Sequence, residues 1–302
     1  MITRRHVLIA ATAALGAPPR LWATTTLDLG GARIDTVSDG ALVLSPTVLF
    51  GQMPQAELHE LLARYGESLD RFDPPCNVTL YRDGKHTVLF DAGAGPDFQP
   101  SAGKLFEALA TLTLGPEDIT HVLFTHGHPD HLWGVLDDFD EPVFGHAVHM
   151  MGRIEHAFWM DPETVARIDE GRKGYAVGAA RRLAALGERL TLLEDGAEVL
   201  PGITARLTPG HTPGHMAYAL AEPTPALVLG DCLSNHHVAF ERPDWPTGSD
   251  QDIAAAAATR IRLLAEVADT DLVLIGYHLP AGGLGRAERA PAGGYIFRPL
   301  EG

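Results

Sequence analysis

The sequence predicts an α/β protein built as a pseudo-duplicated sandwich, with two sheets inside and helices outside. Three observations carry that prediction. Strand-like and helical segments alternate through both halves of the 302 residues, as in layered α/β folds. An apolar run ending in aspartate occurs twice, as Val88-Leu89-Phe90-Asp91 and as Val228-Leu229-Gly230-Asp231. His126, Asp231 and His278 each follow the carboxyl end of an apolar run, where open α/β sheets collect their ligand sites. No linker rich in Gly, Pro or Ser separates the halves, so residues 24–302 read as one domain.

Along the chain, residues 26–37 alternate apolar and polar (Leu27, Leu29, Ala32, Ile34, Val37) as an opening hairpin does. Asp39-Gly40 reads as a turn before a short strand over 41–44. Residues 45–75 contain one helical stretch, 55–65, in otherwise irregular sequence, and a segment of that kind often covers a pocket. Strands are expected over 77–81 and 86–90. Asp91, followed by Gly93 and Gly95, reads as a buried carboxylate supporting a neighbouring loop. A helix over 104–112 leads to a strand over 119–125. Next come a strand region over 139–149, a helix over 150–159 carrying Phe158 and Trp159, and an Ala- and Arg-rich helix over 163–186 interrupted at 171–174. Short strands are expected over 190–193, 203–207, 216–220 and 226–229. A helix over 250–268, capped by Asp250 or Asp252, precedes a last buried strand over 272–276.

The N-terminus places Arg4-Arg5 ahead of a short apolar run, which looks like a bacterial twin-arginine (Tat) export signal. Cleavage is expected after Ala23, giving a periplasmic or secreted product. That run is too short to span a bilayer, and no other segment reaches the necessary length. The net charge of −16 repels the phosphate backbone and anionic lipid, which makes nucleic acid and membrane surfaces poor candidate partners. A small-molecule substrate remains, and a homodimer is allowed. Cys76 and Cys232 read as buried free thiols.

The chemistry concentrates in Thr125-His126-Gly127-His128-Pro129-Asp130-His131, directly after the apolar Val122-Leu123-Phe124. Imidazole nitrogen and carboxylate oxygen are ordinary ligands for zinc and its neighbours. The x spacing lets His126 and His128 project the same way from extended backbone. Later come Thr208-Pro209-Gly210-His211-Thr212-Pro213-Gly214-His215, then Asp231 and His278.

In order and spacing, His126, His128, Asp130, His131, His215, Asp231 and His278 resemble the ligand set of the metallo-β-lactamase superfamily. Residues 231–240 and 278–285 look most like its methyl parathion hydrolase and N-acyl homoserine lactonase branches. The resemblance implies a four-layer αββα sandwich of two mixed sheets with helices outside. It also implies two Zn2+ ions, or other divalent metals. One would be held by His126, His128 and His215, the other by Asp130, His131 and His278, with Asp231 bridging. Such a pair lowers the pKa of water from about 16 toward about 7 and acts as a Lewis acid on the attacked group. Asp130 would orient the nucleophile or accept its proton. The implied activity is an exported dinuclear zinc hydrolase using a bridging hydroxide on an ester, lactone or phosphoester.

By the same resemblance His211 belongs to the turn or supports the ligands from behind. The homoserine lactonases carry a tyrosine three residues past the bridging aspartate, where it assists the carbonyl oxygen. Ser234 stands there in this chain, with Asn235 or His236 as substitutes. Phe50, Phe72, Trp133, Phe158, Trp159 and Trp245 are the candidate aromatics for a pocket. Two other functions share the fold: a mononuclear iron dioxygenase of sulfur compounds, and a non-catalytic metal- or ligand-binding protein. Iron content would mark the first. An intact ligand set argues against the second.

Overall fold

In the computed structural model, residues 25–300 apart from Glu222 and His236 are described, and they form two seven-stranded sheets. The expected signal, residues 1–23, lies outside the described residues, as does His236. The first sheet runs in sequence order: β1 (Thr25–Asp28), β2 (Arg33–Ala41), β3 (Pro75–Arg82), β4 (Thr87–Phe90), β5 (His121–Phe124), β6 (Val148–Gly152) and β7 (Leu190–Leu193). The second contains β8 (Glu198–Leu200), β9 (Ile203–Leu207), β10 (Met216–Leu220), β11 (Ala226–Gly230), β12 (Val273–Gly276), β13 (Leu284–Arg289) and β14 (Tyr295–Pro299). Both sheets are mixed. Strands β4 to β7 pair in parallel, as do β11 and β12, and the other pairs are antiparallel.

The helices are α1 (Pro46–Phe50), α2 (Gln55–Arg64), α3 (Leu105–Thr111), α4 (Pro129–Leu132), α5 (Arg153–Met160), α6 (Thr164–Arg167), α7 (Lys173–Leu186), α8 (Val238–Glu241) and α9 (Ile253–Val267). Side-chain alternation along the strands builds the layers. Val88 and Phe90 of β4 and Leu123 of β5 point inward to meet Tyr218, Val228 and Ile275 of the other sheet. Leu89, Val122 and Phe124 point outward, into a cluster with Leu105 and Leu109 of α3 and Leu183 and Leu186 of α7. On the far side, Leu227, Leu229 and Leu274 pack with Leu263, Leu264 and Val267 of α9. Each fully buried aliphatic side chain contributes about 1.5–3 kcal/mol. The result is the expected four-layer αββα sandwich.

Three boundaries differ from the sequence expectation. Strand β2 continues through Asp39-Gly40 instead of turning there, with a shift in register between Ser38 and Ala41. The Asp39 carboxylate bonds outward instead, accepting the N–H groups of Ala94 (2.8 Å), Gly103 (3.2 Å) and Leu105 (2.8 Å). The strand region expected over 139–149 begins only at Val148. Helix α5 starts at Arg153 and not at Met150, because Met150 and Met151 pair with Leu123 and Phe124 of β5. Strand β8 and the β13–β14 hairpin were not expected.

The irregular segment after β2 does cover a pocket. Leu49, Phe50 and Met53 pack with Leu58, Leu61 and Leu62 of α2 and with Val238 and Trp245.

Candidate metal centre

Two of the parallel pairs, β4/β5 and β11/β12, deliver Asp91, the 125–131 loop, Asp231 and His278 to one end of the sandwich. Helix α4 starts inside the motif, so Asp130 and His131 leave from its first turn while His128 stands just before it. The 208–215 turn enters from the start of β10.

Ligand-type atoms of His126, His128 and His211 lie within 4.8 Å of one another, as do those of His126, His131 and Asp231, and those of Cys76, Asp130 and His278. Asp231 joins these groups. Its Oδ1 is 3.3 Å from His131 Nε2, and its Oδ2 is 3.4 Å from both His211 Nε2 and His278 Nε2. Asp130 Oδ2 is 3.4 Å from His131 Nε2 and 3.2 Å from His278 Nε2. Buried polar atoms are ordinarily hydrogen-bonded. Here His126 Nε2, His131 Nε2, Asp130 Oδ2 and Asp231 Oδ1 are buried with no such partner. Convergent, unpartnered imidazole and carboxylate atoms are the donor set of a zinc-like divalent ion, so the residues fit the metals the fold implies.

Electrostatics agrees for His126 and His128. Burial, then the neighbouring imidazoles, holds His126 and His128 well below the usual histidine pKa, which keeps them in the neutral, ligating form. Burial alone would raise Asp130 and Asp231, but the imidazoles of His131 and His278 outweigh it and keep both carboxylates ionised.

Behind the cluster, the imidazoles of His126, His131, His211 and His278 are each oriented through the other nitrogen, which fixes which nitrogen faces inward. His131 Nδ1 donates to Asp91 Oδ2 at 2.7 Å. Asp91 also accepts the Thr125 N–H (2.7 Å) and hydroxyl (2.8 Å). It sits in the left-handed region at φ 70°, a local strain its three bonds hold in place. His126 Nδ1 is 3.0 Å from Thr125 Oγ1, and His278 Nδ1 donates to the Pro75 carbonyl at 2.7 Å. His211 Nδ1 faces Asp250 Oδ1 at 3.3 Å, and Asp250 is held by Arg260 at 2.7 Å.

Glu155 fastens the two ligand-bearing loops together. It accepts Gly127 N–H (2.8 Å) and Trp159 Nε1–H (2.6 Å) on one oxygen, and the Thr212 hydroxyl (2.7 Å) and Gly214 N–H (3.1 Å) on the other.

Two expectations are corrected. His211, not His215, is the third imidazole beside His126 and His128, with its Nε2 2.9 Å from His128 Nδ1. His215 has both nitrogens occupied by protein: Nε2 accepts the Asp231 N–H at 2.9 Å, and Nδ1 faces the Thr208 hydroxyl at 2.8 Å. Phe158 and Trp159 do not line the cavity. They pack in the core between the first sheet and its helices, where Trp159 is tied to Glu155. Asp91 does support the motif loop, and Cys76 and Cys232 are buried free thiols.

A cavity of about 510 Å³ opens over the cluster, touching His128, Asp130, His211, Asp231 and His278. Leu44, Leu49, Phe50 and Phe72 give it an apolar wall, while Ser234, Asn235, Arg172 and Tyr175 add polar groups. Sequence reasoning missed Glu155, Asp250 and Tyr175. Only Asp250 left a trace, as one of two acids at the start of a helix. The cap itself is Asp252, which accepts the Ala255 N–H at 2.9 Å.

A helix-flanked double sheet with a buried His/Asp cluster where its parallel strands end is the build of a metal-dependent hydrolase. The chain belongs to the metallo-β-lactamase superfamily, whose family model matches residues 71–276. Among solved structures, AidC, a dizinc quorum-quenching lactonase in complex with a product, is 25% identical with a TM-score of 0.85, over 92% of this chain and 98% of AidC. The hydrolase AbOPH is 26% identical with a TM-score of 0.86, over 94% of this chain and 99% of its own. An uncharacterised protein of Mycobacterium leprae is 26% identical over 67% of this chain and 85% of its own length. These neighbours agree with the branches that the motifs pointed to.

Proposed function

We propose that the chain is an exported dinuclear zinc hydrolase of carboxylic esters, lactones or phosphoesters. In this reading His126, His128 and His211 hold one ion, and Asp130, His131 and His278 hold the other. Asp231 is shared. The position of Asp231 carries the reading, because its two oxygens stand 3.3–3.4 Å from imidazoles of both groups. Two such ions supply Lewis acidity and lower the pKa of water to near neutrality. Asp130, ionised at the cavity floor, takes the proton of the nucleophile. The Leu44, Leu49, Phe50 and Phe72 wall seats the apolar part of the substrate and excludes water. The likeness to AidC favours lactones with an acyl chain.

Metal analysis tests the reading. Protein matured with excess zinc should carry two ions per chain, and His128→Ala should lose metal together with hydrolysis of lactones, aryl esters and phosphotriesters. Fewer than two ions, or hydrolysis indifferent to His128→Ala, overturns it. Export by residues 1–23 is tested by replacing Arg4 and Arg5 with Lys, which should strand the protein in the cytoplasm.

A further inference from the structure

One polar group of the cavity is not used by the metal cluster or by the protein around it. Tyr175, on the first turn of α7, lines the cavity, and among the described residues its hydroxyl makes no hydrogen bond. Its ring is nevertheless fixed. It lies edge-on to Phe98 (centroids 5.8 Å, interplanar 82°) and to the imidazole of His128 (5.9 Å, 64°). Its helix is anchored in the core by Ala176, Ala179 and Leu183. Of three other polar groups of the wall, two are engaged by the protein and one is short. Arg172 bonds the carbonyls of Gly248 and Asp250. Asn235 Oδ1 accepts the N–H groups of His237 and Val238. Ser234 has a one-carbon reach.

We propose that Tyr175 is a catalytic residue whose hydroxyl donates a hydrogen bond to the substrate oxygen that gains negative charge when the ester, lactone or phosphoester is attacked. The inference rests on the hydrolase reading above and adds the donor that reading lacks. A substrate seated between the apolar wall and the cluster brings its reacting group beside His128, where the Tyr175 ring stands. A donor held rigid before the reaction stabilises charge in the transition state more than in the bound substrate. Tyr175 is therefore expected to act on kcat more than on KM. No bond to the protein has to break for it to do so.

The test is Tyr175→Phe in the zinc-loaded full chain, assayed with 4-nitrophenyl butyrate, δ-nonalactone and diethyl 4-nitrophenyl phosphate. The ring and its edge contacts remain, so zinc content and melting temperature should not move. On the substrate the wild type prefers, kcat should fall about 10- to 100-fold, with KM changed by less than about threefold. Binding of butyrate, followed by calorimetry, should weaken about three- to tenfold, the effect of one lost hydrogen bond. Unchanged kcat and butyrate binding, a rise in KM alone, or a loss of activity that tracks lost zinc or stability would each overturn the role. If the zinc-loaded wild type turns over none of the three substrates, the hydrolase reading falls and the inference with it.

Discussion

His211 and His215 sit in one turn, each following Pro-Gly, yet their surroundings give them opposite duties. His215 Nε2 accepts the Asp231 N–H, so its proton is on Nδ1 and is donated to Thr208. Neither nitrogen is left for an ion. His211 presents Nε2 to the cluster and turns Nδ1 to Asp250. His211→Ala should therefore remove zinc, leaving one ion or none per chain by atomic absorption, and lower kcat/KM at least about a hundredfold. His215→Ala should keep two ions. Its cost is an unpaired buried N–H at Asp231, about 1–3 kcal/mol in urea unfolding. If the His215 variant loses zinc and the His211 variant keeps it, the roles are reversed. The sequence could not separate the two, since they share a local pattern and are told apart only by Thr208, Asp231 and Asp250.

Between elements, the fixed point is Glu155 on α5. It ties the 125–131 loop after β5 to the 208–215 turn before β10, so each loop keeps its ligands in register with the other. All four of its bonds are accepted. Glu155→Gln puts two amide hydrogens where two donors already point and should destabilise the fold by about 2–3 kcal/mol. It should also weaken zinc binding about 10- to 100-fold, measured by chelator competition, as other supports behind metal ligands do. Wild-type affinity for zinc in that variant would show that the loops hold their shape without it. Glu155 was illegible in the sequence for a simple reason: the two loops it joins lie 28 and 57–59 residues away. The elements themselves were more legible. The central strands show as apolar runs, because both faces of each sheet are buried. The β13–β14 hairpin hid because it is an edge rich in exposed charge (Glu288, Arg289, Arg298). The β6–α5 boundary blurred because Met150 and Met151 suit either element. The paired Asp at strand ends was a sound signal for the duplicated fold, and the copies diverged in use, Asp91 supporting His131 and Asp231 joining the cluster.

At the scale of the whole molecule, stability should depend on pH through two buried groups with opposite slopes. Burial raises Asp39 to about 6, against the three backbone N–H groups it accepts. Its folded pKa thus lies above the unfolded 3.8, so its contribution is fullest in acid and is lost as pH rises through 6. His149, in β6, is buried and stacks on Phe124 with ring centroids 6.3 Å apart. Burial lowers it from 6.5 to about 4. Its contribution is therefore full above 6.5 and is lost as pH falls through 4. The windows overlap between about pH 4 and 6, where the two slopes oppose each other and largely cancel. Removing either group should expose the other. His149→Leu, compared with wild type by urea unfolding at several pH values, should gain relative stability as pH falls from 6.5 to 4, by up to about 3 kcal/mol. Asp39→Asn should cost most in acid, where the wild type keeps the full Asp39 contribution, and progressively less as pH rises toward 6. Differences from wild type that stay constant across this range would mean that neither group titrates with the fold.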